Sequence, residues 1–432
     1  MEGFEYKGVW WPSEKPKDQA SGTLTYIPNQ GASLDLVGFI DKPKIIHGIS
    51  SNGKEITLYD FSSMRSHHNY PGFVTSEYTP RTILVGDHFS EELLFTSVSI
   101  SYSYLQDWLA TGGFIESRYP EISFKYKKPE KITAKLSGDY NISIDYGLST
   151  NHDFGKNVNM KQIAYVIAES SEEKPLNEYE KIMNKTMNFL TLAIREPVYP
   201  QIILARTKSM NPGSDSIMIY YPTFNIPTAN KSMHPLKMLF TFRDISKSFD
   251  RHLKNWFLKS NLLEPTFDLY FDTMYTSRLN IQTKFLNMIH ALEAYHRRNG
   301  RMRQYDLPEE EHSMRIESII GPAPSKHKDW LRVKLKYSNE LYLSKRLEEI
   351  LNMYIEVMEE FLPTNKIRKN FIGKVVEYRN ALTHYDAMKE PPLVEDLYDA
   401  YQNVKMIVEL CLLTELGFDE KDILRLLKKE DE

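Results

Sequence analysis

Ile281-Gln-Thr-Lys-Phe-Leu-Asn-Met-Ile-His-Ala-Leu-Glu-Ala-Tyr295 sets apolar residues at 281, 285, 288, 289, 292 and 295. Steps of three and four are the repeat of an amphipathic helix. Asn299-Gly300 then supplies a stop, because glycine and asparagine accept the left-handed backbone that ends helices. The same period continues downstream. Short helices are expected around 310–320 and 326–337, separated by Pro322 and Pro324, since proline removes an amide donor and clashes with the preceding turn. Leu347 to Leu362 reads as one amphipathic helix ended by Pro363, and Ile367 to His384 as the next. Pro391-Pro392 breaks the chain, Val394 to Leu416 forms a long helix closed by Gly417, and a short charged tail helix remains. The expectation is a five- or six-helix bundle.

Upstream, the period changes near residue 240. Gly22-Thr-Leu-Thr-Tyr-Ile27, Ser33-Leu-Asp-Leu-Val-Gly-Phe39, Glu55-Ile-Thr-Leu-Tyr59 and Asn141-Ile-Ser-Ile-Asp-Tyr146 alternate apolar with polar residues. Period two is the signature of half-buried strands. Asn52-Gly53 between Ile49 and Ile56 predicts a hairpin, and Gly138-Asp139 a further turn. Segments 93–100, 120–136, 161–168 and 216–221 continue the strand pattern. One helix interrupts it, starting at Pro175 and running through Tyr179, Ile182, Met183, Met187, Leu190 and Leu192. The fold class is therefore α+β and multidomain. An antiparallel β-sandwich or barrel with a helical insert spans 1–240, and an all-α bundle spans 241–432.

Composition narrows the function classes. The chain has 432 residues, 41% hydrophobic and 26% charged, which suits a soluble globular protein of two or three domains. No apolar run approaches the roughly 18 residues of a membrane span. Met1-Glu2-Gly3-Phe4-Glu5 lacks the basic and apolar regions of a signal peptide, so the expected compartment is the cytoplasm. One cysteine, Cys411, excludes an internal disulfide and a cysteine-based zinc site, and its apolar surroundings make it a small core residue. A net charge of −4 argues against a non-specific nucleic-acid coat, so any RNA contact requires a local basic patch.

Arg379-Asn380-Ala381-Leu382-Thr383-His384 carries the chemistry. An imidazole can take the proton from a ribose 2′-OH, and a guanidinium can hold the phosphate and its growing charge, with no cofactor or metal required. Five positions rotate a helix by about 140°, so the two side chains diverge. Two copies meeting across a two-fold axis can still combine them. Asn380 would orient the histidine or contact phosphate. The competing reading is an arginine and a histidine at a helix end, engaged in surface ion pairs. Glu293 lies in an otherwise apolar helix and needs a partner, for which Arg379 is suited. Arg297-Arg298-Asn299-Gly300-Arg301-Met302-Arg303 is the densest basic stretch. It suits the phosphates of a single-stranded loop, or equally a cationic helix end. His67-His68 reads as a polar loop rather than a metal site. Trp10-Trp11-Pro12 reads as packing on the sandwich edge and Trp108 as core. Arg81…His88, with six residues between against four, is a looser match that lies in strand and turn and is set aside. Gly112-Gly113 lacks the flanks of a phosphate loop.

These residues also resemble a known family. Arg379, Asn380 and His384 fit the Arg-x4–6-His pattern of the HEPN superfamily of helical bundles. Ala291-Leu292-Glu293-Ala294-Tyr295 resembles its early acidic helix, and Glu415-Leu416-Gly417-Phe418 its late one. Gly8-Val-Trp-Trp-Pro12, Gly22-Thr-Leu24, Leu34-Asp-Leu36 and Ile45-Ile-His-Gly48 with Glu55-Ile-Thr-Leu58 resemble the ApeA N-terminal domain. The resemblance implies a bacterial anti-phage protein acting by abortive infection. Its HEPN domain would be a metal-independent endoribonuclease, working as a homodimer or larger homo-oligomer on tRNA or mRNA. The product would carry a 2′,3′-cyclic phosphate and a 5′-OH. The N-terminal domain would sense a phage-derived trigger or restrain the nuclease. Two other readings stand beside this one. The first is a non-catalytic ligand- or phage-sensing protein whose bundle serves dimerisation. The second is a partner of a nucleotidyltransferase.

Overall fold

The structure is a computed structural model that describes residues 3–68, 70–136, 139–153, 155–211, 213–222, 232–384 and 393–428, with His384 described in its backbone alone. The chain divides into two compact units, 1–254 and 255–432.

The first unit begins with β1 Phe4–Pro12, β2 Ala20–Ile27, β3 Gly31–Val37, β4 Ile45–Ser50, β5 Glu55–His68 and β6 Val74–Val85. Their order is β6-β3-β2-β1-β4-β5, and β5 pairs back onto β6, which closes an antiparallel barrel. Alternation sends Trp10, Leu24, Leu34, Ile46, Leu58 and Tyr78 into its interior. Trp10 stands opposite Gly48 in the ladder. A Cβ at 48 would lie 2.2 Å from the indole, so only glycine leaves room for the ring. The expectation for Trp10-Trp11-Pro12 is corrected here. Trp10 is wholly buried at the barrel centre because β1 has neighbours on both sides, β2 and β4. Trp11 is also buried and meets His47 and His88 edge-on at 6.2 and 5.4 Å. The Asn52-Gly53 turn does join β4 to β5, with Gly53 at φ 79°. His67 and His68 are corrected from loop to the exposed end of β5, where His67 pairs with Thr75.

The sheet continues from β6 through β14 Ile217–Tyr220, β13 Pro200–Arg206, β7 Leu94–Tyr102, β12 Asn157–Pro175, β11 Tyr140–Asp153 and β10 Ile132–Lys135. β8 Phe114–Ser117 and β9 Ser123–Tyr126 form a separate ribbon. The run expected over 120–136 is thus two strands, interrupted at Pro129, which has no amide to donate to a ladder. Gly138 of the second expected turn lies outside the described residues. The helical insert is α2 Leu176–Ile194, begun at Pro175 and packed on β7 and β12. A short helix that the period did not signal, α1 Leu105–Leu109, carries Trp108, whose Nε1 donates to Phe240 O at 3.1 Å. α3 Phe242–Ile245 is opened by a capping box, in which Thr241 N donates to the Asp244 carboxylate at 2.8 Å.

Then come α4 Phe249–Leu262, α5 Glu264–Tyr275, α6 Ile281–Arg298, α7 Glu309–Ile320, α8 Ser325–Leu335, α9 Leu343–Met353, α10 Ile355–Phe361, α11 Asn365–His384, α12 Val394–Leu416 and α13 Glu420–Leu427. α6 packs against both α5 and α12 and forms the spine of the second unit. Gly417, at φ 99°, closes α12 as its position predicts. More helices are present than the five or six expected. Pro265 opens α5 directly after α4. The run 347–362 breaks at Tyr354, whose φ of −114° ends α9 and starts α10. Tyr354 turns inward there, and its hydroxyl lies 2.7 Å from that of Tyr295. Pro391-Pro392 lies outside the described residues. Cys411 is wholly buried, and burial pushes its thiol well above the usual range, so it is an inert core residue.

Candidate active site

α11 is positioned by Ile372, Val375 and Tyr378, which are buried at helical spacing against α6 and α9. Tyr378 stands edge-on to Phe285 of α6 at 6.4 Å. The next residue, Arg379, therefore turns toward the side of α6 on which Glu293 sits. Its Nη2 lies 3.9 Å from Glu293 Oε2, with the two side chains 26% and 20% exposed. Nη1 donates to Asn380 Oδ1 at 3.1 Å. Nε is buried and has no hydrogen-bond partner among the described residues. Thr383 Oγ1 donates to Arg379 O at 2.7 Å and ties the last turn of the helix.

The structure thus brings Arg379, Asn380 and Glu293 together. The side chain of His384 lies outside the described residues; its backbone is the last residue of α11. The guanidinium fork is only partly used. One arm meets a carboxylate at ion-pair distance, one meets an amide oxygen, and the inner N–H faces no acceptor among the described residues. Such a group can receive an oxyanion without first breaking a strong bond.

Sequence reasoning missed a buried polar chain one turn along α6. His296 is fully buried. Its Nδ1 lies 2.9 Å from Arg346 Nη1, and its Nε2 lies 2.9 Å from Glu349 Oε2. An arginine can only donate, so Nδ1 accepts and the proton rests on Nε2, directed at Glu349. Burial pushes the imidazole below its ordinary range. The bond to Glu349 opposes that shift and the Arg346 charge adds to it. His296 is accordingly neutral, and its contact with Glu349 is a hydrogen bond rather than an ion pair. Burial also holds Arg346 below its usual range, aided by Arg297 and opposed by Glu293, Glu340 and Glu349. The signal was present in the sequence. Arg346 falls between Leu343, Leu347 and Ile350 on the apolar face of α9, where an unaccompanied charge calls for partners.

The four arginines after Tyr295 are engaged inside the helical unit. Arg297 pairs with Glu340 at 2.9 Å, Arg303 with Glu349 at 3.0 Å and Arg301 with Glu415. Arg298 Nη1 donates to Leu262 O at 3.4 Å. Arg298 and Arg301 line an open depression of about 440 Å³ with Lys259, Asn299 and the buried Glu415. Lys259 meets the same carboxylate at 2.6 Å. Lys259 and Arg298 occupy the last turns of α4 and α6, where cations offset the helix dipole.

A helical bundle with Arg-x4-His at the end of one helix, and an acidic residue from a neighbouring helix against the arginine, has the arrangement of a HEPN domain. The comparisons with known families agree. Residues 5–256 match ApeA N-terminal domain 1, and residues 286–422 match the Apea-like HEPN domain. The first match alone spans more than half of the chain, and the chain belongs to the ApeA-like family, a family of anti-phage HEPN nucleases. No curated protein and no solved structure matches it. No helix among the described residues is long and apolar enough to cross a membrane.

Proposed function

We propose that this chain is an endoribonuclease of anti-phage defence, acting by abortive infection and cleaving host or phage RNA without a metal cofactor. His384 takes the proton from a ribose 2′-OH. The 2′-oxygen attacks phosphorus, the bond to the 5′-oxygen breaks, and a 2′,3′-cyclic phosphate and a 5′-OH remain. Arg379 binds the phosphate and stabilises the charge gathered in the pentavalent state. Asn380 positions the guanidinium, and Glu293 holds it in place from α6. The observation that carries this reading is the Arg379–Glu293 contact of 3.9 Å, made by a guanidinium whose Nε has no hydrogen-bond partner among the described residues. The exposed faces of Arg297, Arg298, Arg301 and Arg303 guide the RNA backbone. The active form is a homodimer or larger homo-oligomer, as the roughly 140° between positions 379 and 384 on a helix requires if the two groups are to meet one phosphate. The barrel unit senses the phage-derived trigger, and the protein works in the cytoplasm.

The test is cleavage of total RNA and of tRNA in EDTA, alone and with phage-infected lysate. Wild type should release cyclic-phosphate ends, and His384→Ala and Arg379→Ala should each lose at least two orders of magnitude in rate, the usual contribution of a general base or an oxyanion donor. Cleavage retained by His384→Ala overturns the mechanism. Wild type inert under every condition makes the chain a binding protein.

A further inference from the structure

α7 and α8 form a helical hairpin that buries almost nothing. α8 has no buried residue, and α7 has only Ile320. The half-buried positions, His312 and Ile316 on α7 and Lys328, Leu331 and Leu335 on α8, mark the inward faces. A second apolar face points away from them. Met314 is 66% exposed, Trp330 59%, Val333 71% and Tyr337 63%. Trp330, Val333 and Tyr337 recur at steps of three and four, a continuous stripe that none of the described residues covers.

Charge divides sharply between the two helices. α7 carries Glu309, Glu310, Glu311 and Glu317 against Arg315, a net −3, and α8 carries Lys326, Lys328, Arg332 and Lys334 against Asp329, a net +3. The charges also ring the apolar residues. Met314 has Glu310, Glu311 and Glu317 one turn away, whereas Trp330 has Lys326 and Lys334. Among the described residues none of the four glutamates of α7 forms an ion pair, and neither do Lys326 and Lys334. The ion pairs that touch the hairpin are Arg315–Asp306 and Arg332–Asp329, and neither links α7 to α8.

We propose that this hairpin docks onto the same hairpin of a second copy of the chain, α7 of each lying on α8 of the other. A uniformly acidic partner would suit α8 and repel α7, and a basic one the reverse. A surface with equal and opposite charge on adjacent helices is its own complement under a two-fold rotation. The product is a four-helix layer in which Trp330 and Val333 of one copy meet the acid-ringed Met314 of the other. Helices of 11 and 12 residues are about 17 Å long, so the contact falls at the small end of specific interfaces and its affinity is of roughly micromolar order. The surface lies away from the Arg379–Glu293 contact in sequence and does not depend on catalysis there.

Sedimentation velocity on the full chain, from about 0.1 to 50 µM, tests this. Wild type should show an association step that weakens as salt rises. Reversing α7 alone (Glu310→Lys, Glu311→Lys, Glu317→Lys) or α8 alone (Lys326→Glu, Arg332→Glu, Lys334→Glu) should each remove that step by making both helices alike in sign. Mixing the two variants should restore it as a heterodimer, which a folding defect cannot mimic. Trp330→Asp should remove it in wild type. A wild type that shows no such step, reversed variants that keep it, or a mixture that fails to restore it would each overturn the proposal. RNA cleavage measured on the same samples reports separately on the nuclease reading.

Discussion

Removing the carboxylate of Glu415 should loosen the core of the helical unit by about 3–4 kcal/mol. Oε1 accepts from Tyr295 at 3.0 Å, from Asn299 Nδ2 at 3.3 Å and from Arg301, and Oε2 meets Lys259 at 2.6 Å. The four donors are unequal. The Lys259 and Arg301 side chains are 32% and 56% exposed and rehydrate when the carboxylate goes, so each costs about 0–1 kcal/mol. Asn299 is buried and, left without that acceptor, costs about 1–3 kcal/mol, while the buried Tyr295 hydroxyl can turn to Tyr354 at 2.7 Å and costs about 1 kcal/mol. Glu415→Gln keeps one oxygen for the buried donors and loses the charge and the acceptor that faces the part-exposed Lys259, so it should cost about 1 kcal/mol. The assay is hydrogen exchange of the full-length protein, read on peptides from α6 and α12. There about 3 kcal/mol appears as a loss of protection of roughly 150-fold in Glu415→Ala and about 1 kcal/mol as roughly fivefold in Glu415→Gln. Exchange in Glu415→Ala within threefold of wild type refutes the reasoning, as does a glutamine variant as damaged as the alanine one.

Three further outcomes follow from the geometry. The folded state holds His296 neutral with a lowered proton affinity, so the unfolded chain takes up the proton first. Thermal stability of the helical unit should be level above about pH 6.5 and fall as the pH drops below it, and His296→Gln should flatten that slope. Gly48→Ala forces a methyl against the Trp10 indole and should destabilise the barrel unit by about 1–3 kcal/mol or more, with the loss partly relieved by a second change, Trp10→Phe. Glu293→Gln leaves Arg379 without its carboxylate at 3.9 Å, and should slow RNA cleavage by roughly tenfold while the unfolding temperature stays within a few degrees of wild type. Equal activity of that variant and wild type would remove Glu293 from the site.

The parts of this fold written in local periodicity were legible. α12 begins and ends at the residues the pattern marks, because a long apolar run, Gly417 and the helix period all agree there. The hairpin at Asn52-Gly53 was legible for the same reason. Closure of the barrel was not, because β5 meeting β6 is a pairing choice made by whole strands and leaves no mark on any one of them. Trp10 at the barrel centre depends on Gly48, a partner 38 positions away, so its place reads from neither residue alone. At the site, the approach of Glu293 to Arg379 followed from the need of a carboxylate on an apolar face for a partner. The His296–Arg346–Glu349 chain rests on the same principle, yet Arg346 sits among leucines on a helix whose pattern reads as ordinary. The arginine stretch was legible only in part. Its density marks a basic patch, but not that Glu340, Glu349 and Glu415 arrive from distant parts of the chain to pair with side chains that stay about half exposed.

Because β5 returns to β6, the strand order has one terminal margin where an open sheet has two, while β11 and β12 run past their outer partners over 145–153 and 157–165. That margin is β10, four residues long, reading Ile132-Thr-Ala-Lys135. A strand margin with free amides is a template on which other chains polymerise, and short length and lysine blunt it. Here the margin is also partly stoppered, since the Lys135 amide donates to the Asp250 carboxylate at 2.9 Å. Lys254 in turn holds that carboxylate at 2.8 Å and lowers its proton affinity. Asp250 thus occupies a backbone donor of β10 that an incoming strand would otherwise use, and its loss would return that donor to solvent.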